Sequence, residues 1–184
     1  MPLIPYADFE KAPEEVREAF EKLPRKLNIF RMWANAPTLF KPGLRLGGAI
    51  LGKQKLDPAL RELVILLVAK LEGGEYEWVQ HVPIGLAAGC RQDQIDALAK
   101  SDFASAFDAR EKSLLRFAKE VIENVRAGEE SFKDAARHFS PQEIVEIIFT
   151  CGFYMTMARL TETTRVEIDA PGGMAVLDTL VKMR

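Results

Sequence analysis

Sulfur and imidazole are scarce in this chain: 184 residues carry two cysteines, Cys90 and Cys151, and two histidines, His81 and His138. Two cysteines cannot build a disulfide framework, and they suit a reducing compartment. The histidines lie far apart, so three or four convergent nitrogen and carboxylate ligands are not in view, and no metal is expected. Basic blocks are also missing. The formal net charge is −2, which excludes an electrostatic nucleic-acid binder. No basic leader with an apolar run opens the chain; MPLIPYADFEKAP has prolines and acids instead. The longest apolar stretch, IVEIIFTCGFYMTMA, is short for a membrane span and contains Glu146. A cytoplasmic protein without a membrane partner is the expectation. Serine-hydrolase, P-loop and dinucleotide-binding signatures are absent too, so no cofactor is implied.

Apolar residues at helical spacing are abundant, and no period-two strand pattern competes with them. The reading is all-α, a single domain over 1–184 with an extended arm at 1–12. A hydrophobic content of 48% in 184 residues is enough to bury a real core. PEEVREAFEKL and NIFRMWANAP read as short helices, and PTLFKPGLRLGGAILGK as a helix whose Gly47 and Gly48 let another group approach closely. DAREKSLLRFAKEVIENVRAG starts on the Asp108/Glu111 capping box. EESFKDAARHF follows, and Ser140, Pro141 and Glu143 then open a last helix running past Arg159. That helix is apolar almost all round, as expected in a domain centre or at a subunit contact.

The core motif lies at 57–99. Asp57 caps a helix with Pro58 at its first position, Gly73-Gly74 stops it, and EYEWVQHVPIGLAA forms the next helix. Two polar residues here sit on apolar faces. Glu62 shares its face with Ile65, Leu66 and Ala69. His81 shares its face with Trp78, Ile84 and Ala88, with Glu77 one turn away. Folding back at Gly73-Gly74 brings Glu62 towards His81. Glu62, His81 and Glu77 are the candidate acid–base group, with Tyr76 and Trp78 as candidate pocket residues and Arg159 as a candidate grip on a substrate carboxylate. Blander readings stand beside these. Glu62 as a helix-capping carboxylate, Glu77 as a solvated charge, Trp78 as plain core and Arg159 paired with Glu162 or Glu146 all fit the same spacing. Pro83 should kink the helix, and Cys90, ahead of a helix start, is either a reactive thiol or a small packed residue.

The run from Glu62 through EYEWVQH to GLAAGC resembles the carboxymuconolactone decarboxylase and AhpD-like alkyl hydroperoxidase superfamily. In that resemblance the family Glu falls on Glu62 and its His on His81. The two thiols of the peroxidase branch fall on Gly74 and Glu77, with Tyr76 where that branch often has a second His. The resemblance implies an AhpD-like helical bundle, assembled as a trimer or hexamer. It also implies cofactor-independent decarboxylase-type (lyase) chemistry on a small organic acid or lactone, with His81 moving the proton. Two further readings remain. One is the peroxidase activity, which the missing thiols disfavour; the other is a helical oligomer that binds a small ligand without catalysis.

Overall fold

A computed structural model describes residues 1–172, and among them every regular element is a helix. They are α1 (Glu14–Glu21), α2 (Asn28–Trp33), α3 (Pro37–Lys53), α4 (Pro58–Glu72), α5 (Glu75–Ala88), α6 (Gln92–Ala99), α7 (Ala109–Asn124), α8 (Glu129–His138) and α9 (Pro141–Thr164). The expected sequence of helices is therefore present; α3, α4 and α5 match their segments, whereas α1, α2 and α7 stop several residues short of the pattern. The last twelve residues of the expected C-terminal segment lie outside the described part.

α4 is the axis of the fold. The Asp57 carboxylate accepts the backbone N–H groups of Ala59 and Leu60, which secures the first turn. Gly73 ends the helix with φ +69°, a left-handed conformation that a side chain would strain. Every residue from Leu60 to Ala69 is buried, because α5, α6, α7 and α9 surround the helix. The main core follows from that arrangement: Leu63, Val64, Ile65, Leu66 and Leu67 meet Leu114, Leu115 and Phe117 of α7, and Ile147 and Tyr154 of α9. Capping boxes at Asp108/Glu111 and Ser140/Glu143 fix the starts of α7 and α9, as the sequence indicates.

α9, with 24 residues, spans about 36 Å and is apolar enough by composition to cross a membrane. The apolar stretch read as too short thus belongs to a helix of sufficient length. In this fold α9 packs along α4 instead, burying Ile144, Ile147, Cys151 and Tyr154. Its opposite side is open: Val145, Ile148 and Phe149 are exposed, so the helix is not enclosed within the chain. Glu146 faces the α3–α4 loop, where it accepts the N–H groups of Lys55 and Leu56.

The N-terminal third is attached more loosely. α1, α2 and α3 form two small apolar clusters, one around Val16, Phe20 and Phe40 and one joining Ile29 and Met32 to Tyr76 and Met157. The arm is docked, not free: Leu3 N–H donates to the Thr164 carbonyl, and Phe9 stacks on Phe20. Between this layer and the core lies a cavity of about 760 Å³.

Candidate active site

The turn at Gly73-Gly74 lays α5 back against α4, and this places Glu62 opposite His81. Glu62 Oε2 lies 2.8 Å from His81 Nδ1. Its other oxygen, Oε1, accepts from Arg61 Nε at 3.1 Å and Nη2 at 3.0 Å. Glu62 is wholly buried and Arg61 is 2% exposed, so a bare carboxylate here would be very costly; the guanidinium and the ring supply the needed partners. A carboxylate that accepts from a guanidinium on one oxygen accepts Nδ1–H on the other. That fixes the ring tautomer and leaves Nε2 as the working nitrogen. No described residue bonds Nε2, and His81 lines the cavity.

Tyr154 supplies the second constraint on the ring. It packs edge-on against His81, with centroids 4.9 Å apart at 87°. Tyr154 also lines the cavity, no described residue bonds its hydroxyl, and burial pushes its pKa well up, so it stays a neutral phenol. Glu77 lines the cavity from the next turn of α5. Its carboxylate accepts from Thr161 Oγ1 at 3.1 and 3.3 Å and makes no direct bond to His81. The ring is therefore oriented by Glu62, and Glu77 of the expected acid–base group stands beside it without a bond to it. Burial raises the Glu77 pKa, with Thr161 and His81 pulling the other way.

Gly74 makes the position of Glu77 possible. A Cβ at residue 74 would lie 2.8 Å from Glu77 Oε2 and 3.0 Å from Ala158 Cβ. The two places where the resemblance puts thiols are thus adjacent in space, and here one is emptied while the other holds a carboxylate. The cysteines that do exist are elsewhere. Cys90 donates to the Ala59 carbonyl, Cys151 is in the core, and burial pushes both thiols up to about 12.

Of the expected pocket residues, only Tyr76 lines the cavity. Its hydroxyl is already committed, donating to Asp169 Oδ2 at 2.6 Å. Trp78 turns away and packs against the main core, because at that position α5 faces α4 and its neighbours. Arg159 is exposed and pairs with Glu72 at 2.9 Å, so it neither grips a ligand in the cavity nor meets Glu162 or Glu146. Four residues beyond the expected ones shape the site. Arg61, a cation inside an otherwise apolar helix, was the visible signal. Tyr154 stood in plain view on α9, whereas Gln80 and Asp169 had no local pattern. Asp169 also accepts the Asn28 N–H, and Gln80 Nε2 donates to the Asp169 carbonyl, so the 166–172 segment ties α2 to α5. Among the described residues, no three His, Cys, Asp or Glu side chains gather as a metal site.

Residues 37–120 match the model of the carboxymuconolactone decarboxylase family. Over those residues the chain is similar to that family. The matched stretch contains α3 to α6 and most of α7, hence Arg61, Glu62, Glu77 and His81. No curated protein matches the chain. Among solved structures, an uncharacterised peroxidase-related protein with an alkylhydroperoxidase AhpD core from Ralstonia eutropha superposes with a TM-score of 0.78 at 18% identity. That match covers 98% of this chain and 94% of the other. A peroxidase-related protein from a Silicibacter species gives 0.76 at 20% identity, over 91% of each chain. The debrominase Bmp8, solved in complex with 2,3,4-tribromopyrrole, gives 0.74 at 18% identity, over 97% of each chain. At such identities the likenesses establish the AhpD-like fold.

Proposed function

We propose that this protein is a cofactor-independent acid–base enzyme of decarboxylase type, acting on a small organic acid or lactone. The observation that carries the reading is the buried Arg61–Glu62–His81 chain, which holds one imidazole nitrogen and presents the other to a cavity. Loss of carbon dioxide breaks a C–C bond and leaves its electron pair on a carbon conjugated to a carbonyl. An imidazolium donates its Nε2 proton to that carbon and becomes neutral, then regains a proton from water after release. Glu62 stabilises the charged ring, and Arg61 keeps Glu62 in place. Glu77, whose pKa burial raises, lines the cavity one turn from His81 and is placed to hydrogen-bond a substrate oxygen.

A dithiol peroxidase cycle needs an accessible thiolate and a resolving thiol beside it. Gly74 and Glu77 offer neither, and Cys90 and Cys151 are buried thiols. The reading therefore stays with proton transfer. It is tested with a panel of unsaturated lactone acids in D₂O, following deuterium incorporation at substrate carbon by NMR. His81→Gln should lower turnover by about 10²–10⁴-fold while still binding substrate. Full turnover in that variant would show a binding pocket whose chemistry lies elsewhere, and wild-type inertness across the panel would favour a non-catalytic binder.

We also propose that the protein is a homo-oligomer. The exposed Val145, Ile148 and Phe149 on α9 support this, since a helix face of that kind is usually covered. Light scattering should return a multiple of 20.6 kDa; a monomer mass at micromolar concentration would overturn the assembly.

A further inference from the structure

The cavity is not uniform. Its buried floor is formed by His81, Glu77 and Tyr154, and its sides by apolar groups such as Trp33, Phe153 and Met157. α3 forms much of the roof. A Cβ at Gly43 would lie 2.0 Å from the Trp33 ring, and one at Gly47 would lie 3.0 Å from Phe153, so these two glycines seat the aromatic walls against the helix backbone. The rim carries the cations Lys22, Lys41, Arg45 and Lys53 against the carboxylates Glu15 and Glu18. Lys22 is matched with Glu18 at 3.8 Å.

α3 differs in charge from the other amphipathic helices. On α7 and α8 three surface cations sit one turn from an acid: Arg116 with Glu120, Lys119 with Glu123, Lys133 with Glu129. α3 has three charged residues, Lys41, Arg45 and Lys53; all are cations and all line the cavity. None has an ion-pair or hydrogen-bond partner among the described residues. Lys41 and Arg45 lie one turn apart on the same face. A chain of net charge −2 thus keeps a positive rim above a floor lined by His81, Glu77 and Tyr154.

We infer that Lys41 and Arg45 are specificity residues that select an amphipathic organic anion: an apolar, flat-bodied molecule whose acidic group stays at the rim while its other end reaches His81. At the rim an anion meets two cations without a partner among the described residues, whereas the guanidinium of Arg61 beneath the floor is already taken by Glu62, so the rim is where an acidic group gains most. The aromatic walls take the body, and about 760 Å³ is ample for a two- or three-ring compound. This inference rests on His81 being the reacting end. If the substrate also loses a carboxylate there, the anion at the rim is a second acidic group.

The test uses two fluorescent probes that differ by one charge: anilinonaphthalene sulfonate and its neutral parent N-phenyl-naphthylamine. The wild-type protein should bind both saturably. The double variant Lys41→Glu/Arg45→Glu should lose about tenfold or more in sulfonate affinity and less than about twofold for the neutral probe. Lys41→Gln/Arg45→Gln should show a smaller loss of the same selectivity, which covers the case in which charge reversal impairs folding. Lys41→Arg/Arg45→Lys should keep it. His81→Gln should shift both probe affinities by the same factor and so keep the preference for the sulfonate, which separates loss of catalysis from loss of anion recognition. Equal losses for both probes in the Lys41/Arg45 variants, no loss for either, no saturable binding in the wild type, or loss of the sulfonate preference in His81→Gln instead would each overturn the assignment.

Discussion

α3 and α4 have similar lengths, 17 and 15 residues, and both start on a proline at the first helical position, yet they behave as opposites. In α4 ten consecutive residues are buried, including an arginine and a glutamate. In α3 only Phe40, Ile50 and Gly52 are buried. The reason is what surrounds them: α4 is enclosed by four helices, whereas α3 lies over a cavity and touches chiefly α1 and α9. Proton transfer needs groups held to within a fraction of an ångström, and α4 and α5 supply that rigidity. Substrate selection tolerates a looser wall, and α3 is one. In the proposed reading, chemistry falls on the packed side of the cavity and selectivity on the open side.

The largest effect that can break this contrast is on stability. Leu66 is fully buried in α4, and Leu66→Ala should cost about 2–5 kcal/mol from lost burial and the void left behind. Leu46 on α3 is 41% exposed, and Leu46→Ala should fall within about 0.5 kcal/mol of wild type. Urea unfolding monitored by circular dichroism measures both. Comparable losses at the two sites would mean that the roof is as tightly built as the core.

How much of this could be read beforehand differs between the same two regions. Around α4 the sequence was nearly sufficient: Asp57, Pro58 and Gly73 marked the helix ends, and Glu62 and His81 were polar residues on apolar faces, which is costly unless they meet. The facing of Glu62 and His81 follows from one turn. Trp78 and Arg159 misled because spacing along a helix tells which residues share a face, not which neighbour that face receives. Trp78 met the core, and Arg159 met Glu72, a partner 87 positions away. Asp169 was illegible for the same reason: its partners Tyr76, Asn28 and Gln80 converge only in three dimensions. α3 was read as a helix tolerant of close packing, and what approaches its backbone is the indole of Trp33 and the ring of Phe153.

The smallest expected effect probes Glu77, which sits where the packed side meets the cavity. Its folded-state pKa is raised above the ordinary value of 4.5, first by burial. Below that ordinary value the carboxyl is protonated in both folded and unfolded chains and contributes no difference. As pH rises through 4.5 the unfolded chain releases its proton while the folded one keeps it, so the folded state loses stability until the raised pKa is passed. Glu77→Gln cannot lose a proton and keeps an oxygen for Thr161 Oγ1 to donate to. The variant should therefore match wild type near pH 4 and become the more stable of the two as pH increases, the gap levelling off above the raised pKa. Thermal melts of both proteins across this range give the curve, with a difference of about 1 kcal/mol appearing as roughly 2–4 °C for a chain of this size. A gap that is constant with pH would show that Glu77 is hydrated and ordinary. A gap that opens as described, together with lost turnover in the same variant, ties the acid to the reaction, because the amide keeps the shape and the bond to Thr161 but does not ionise.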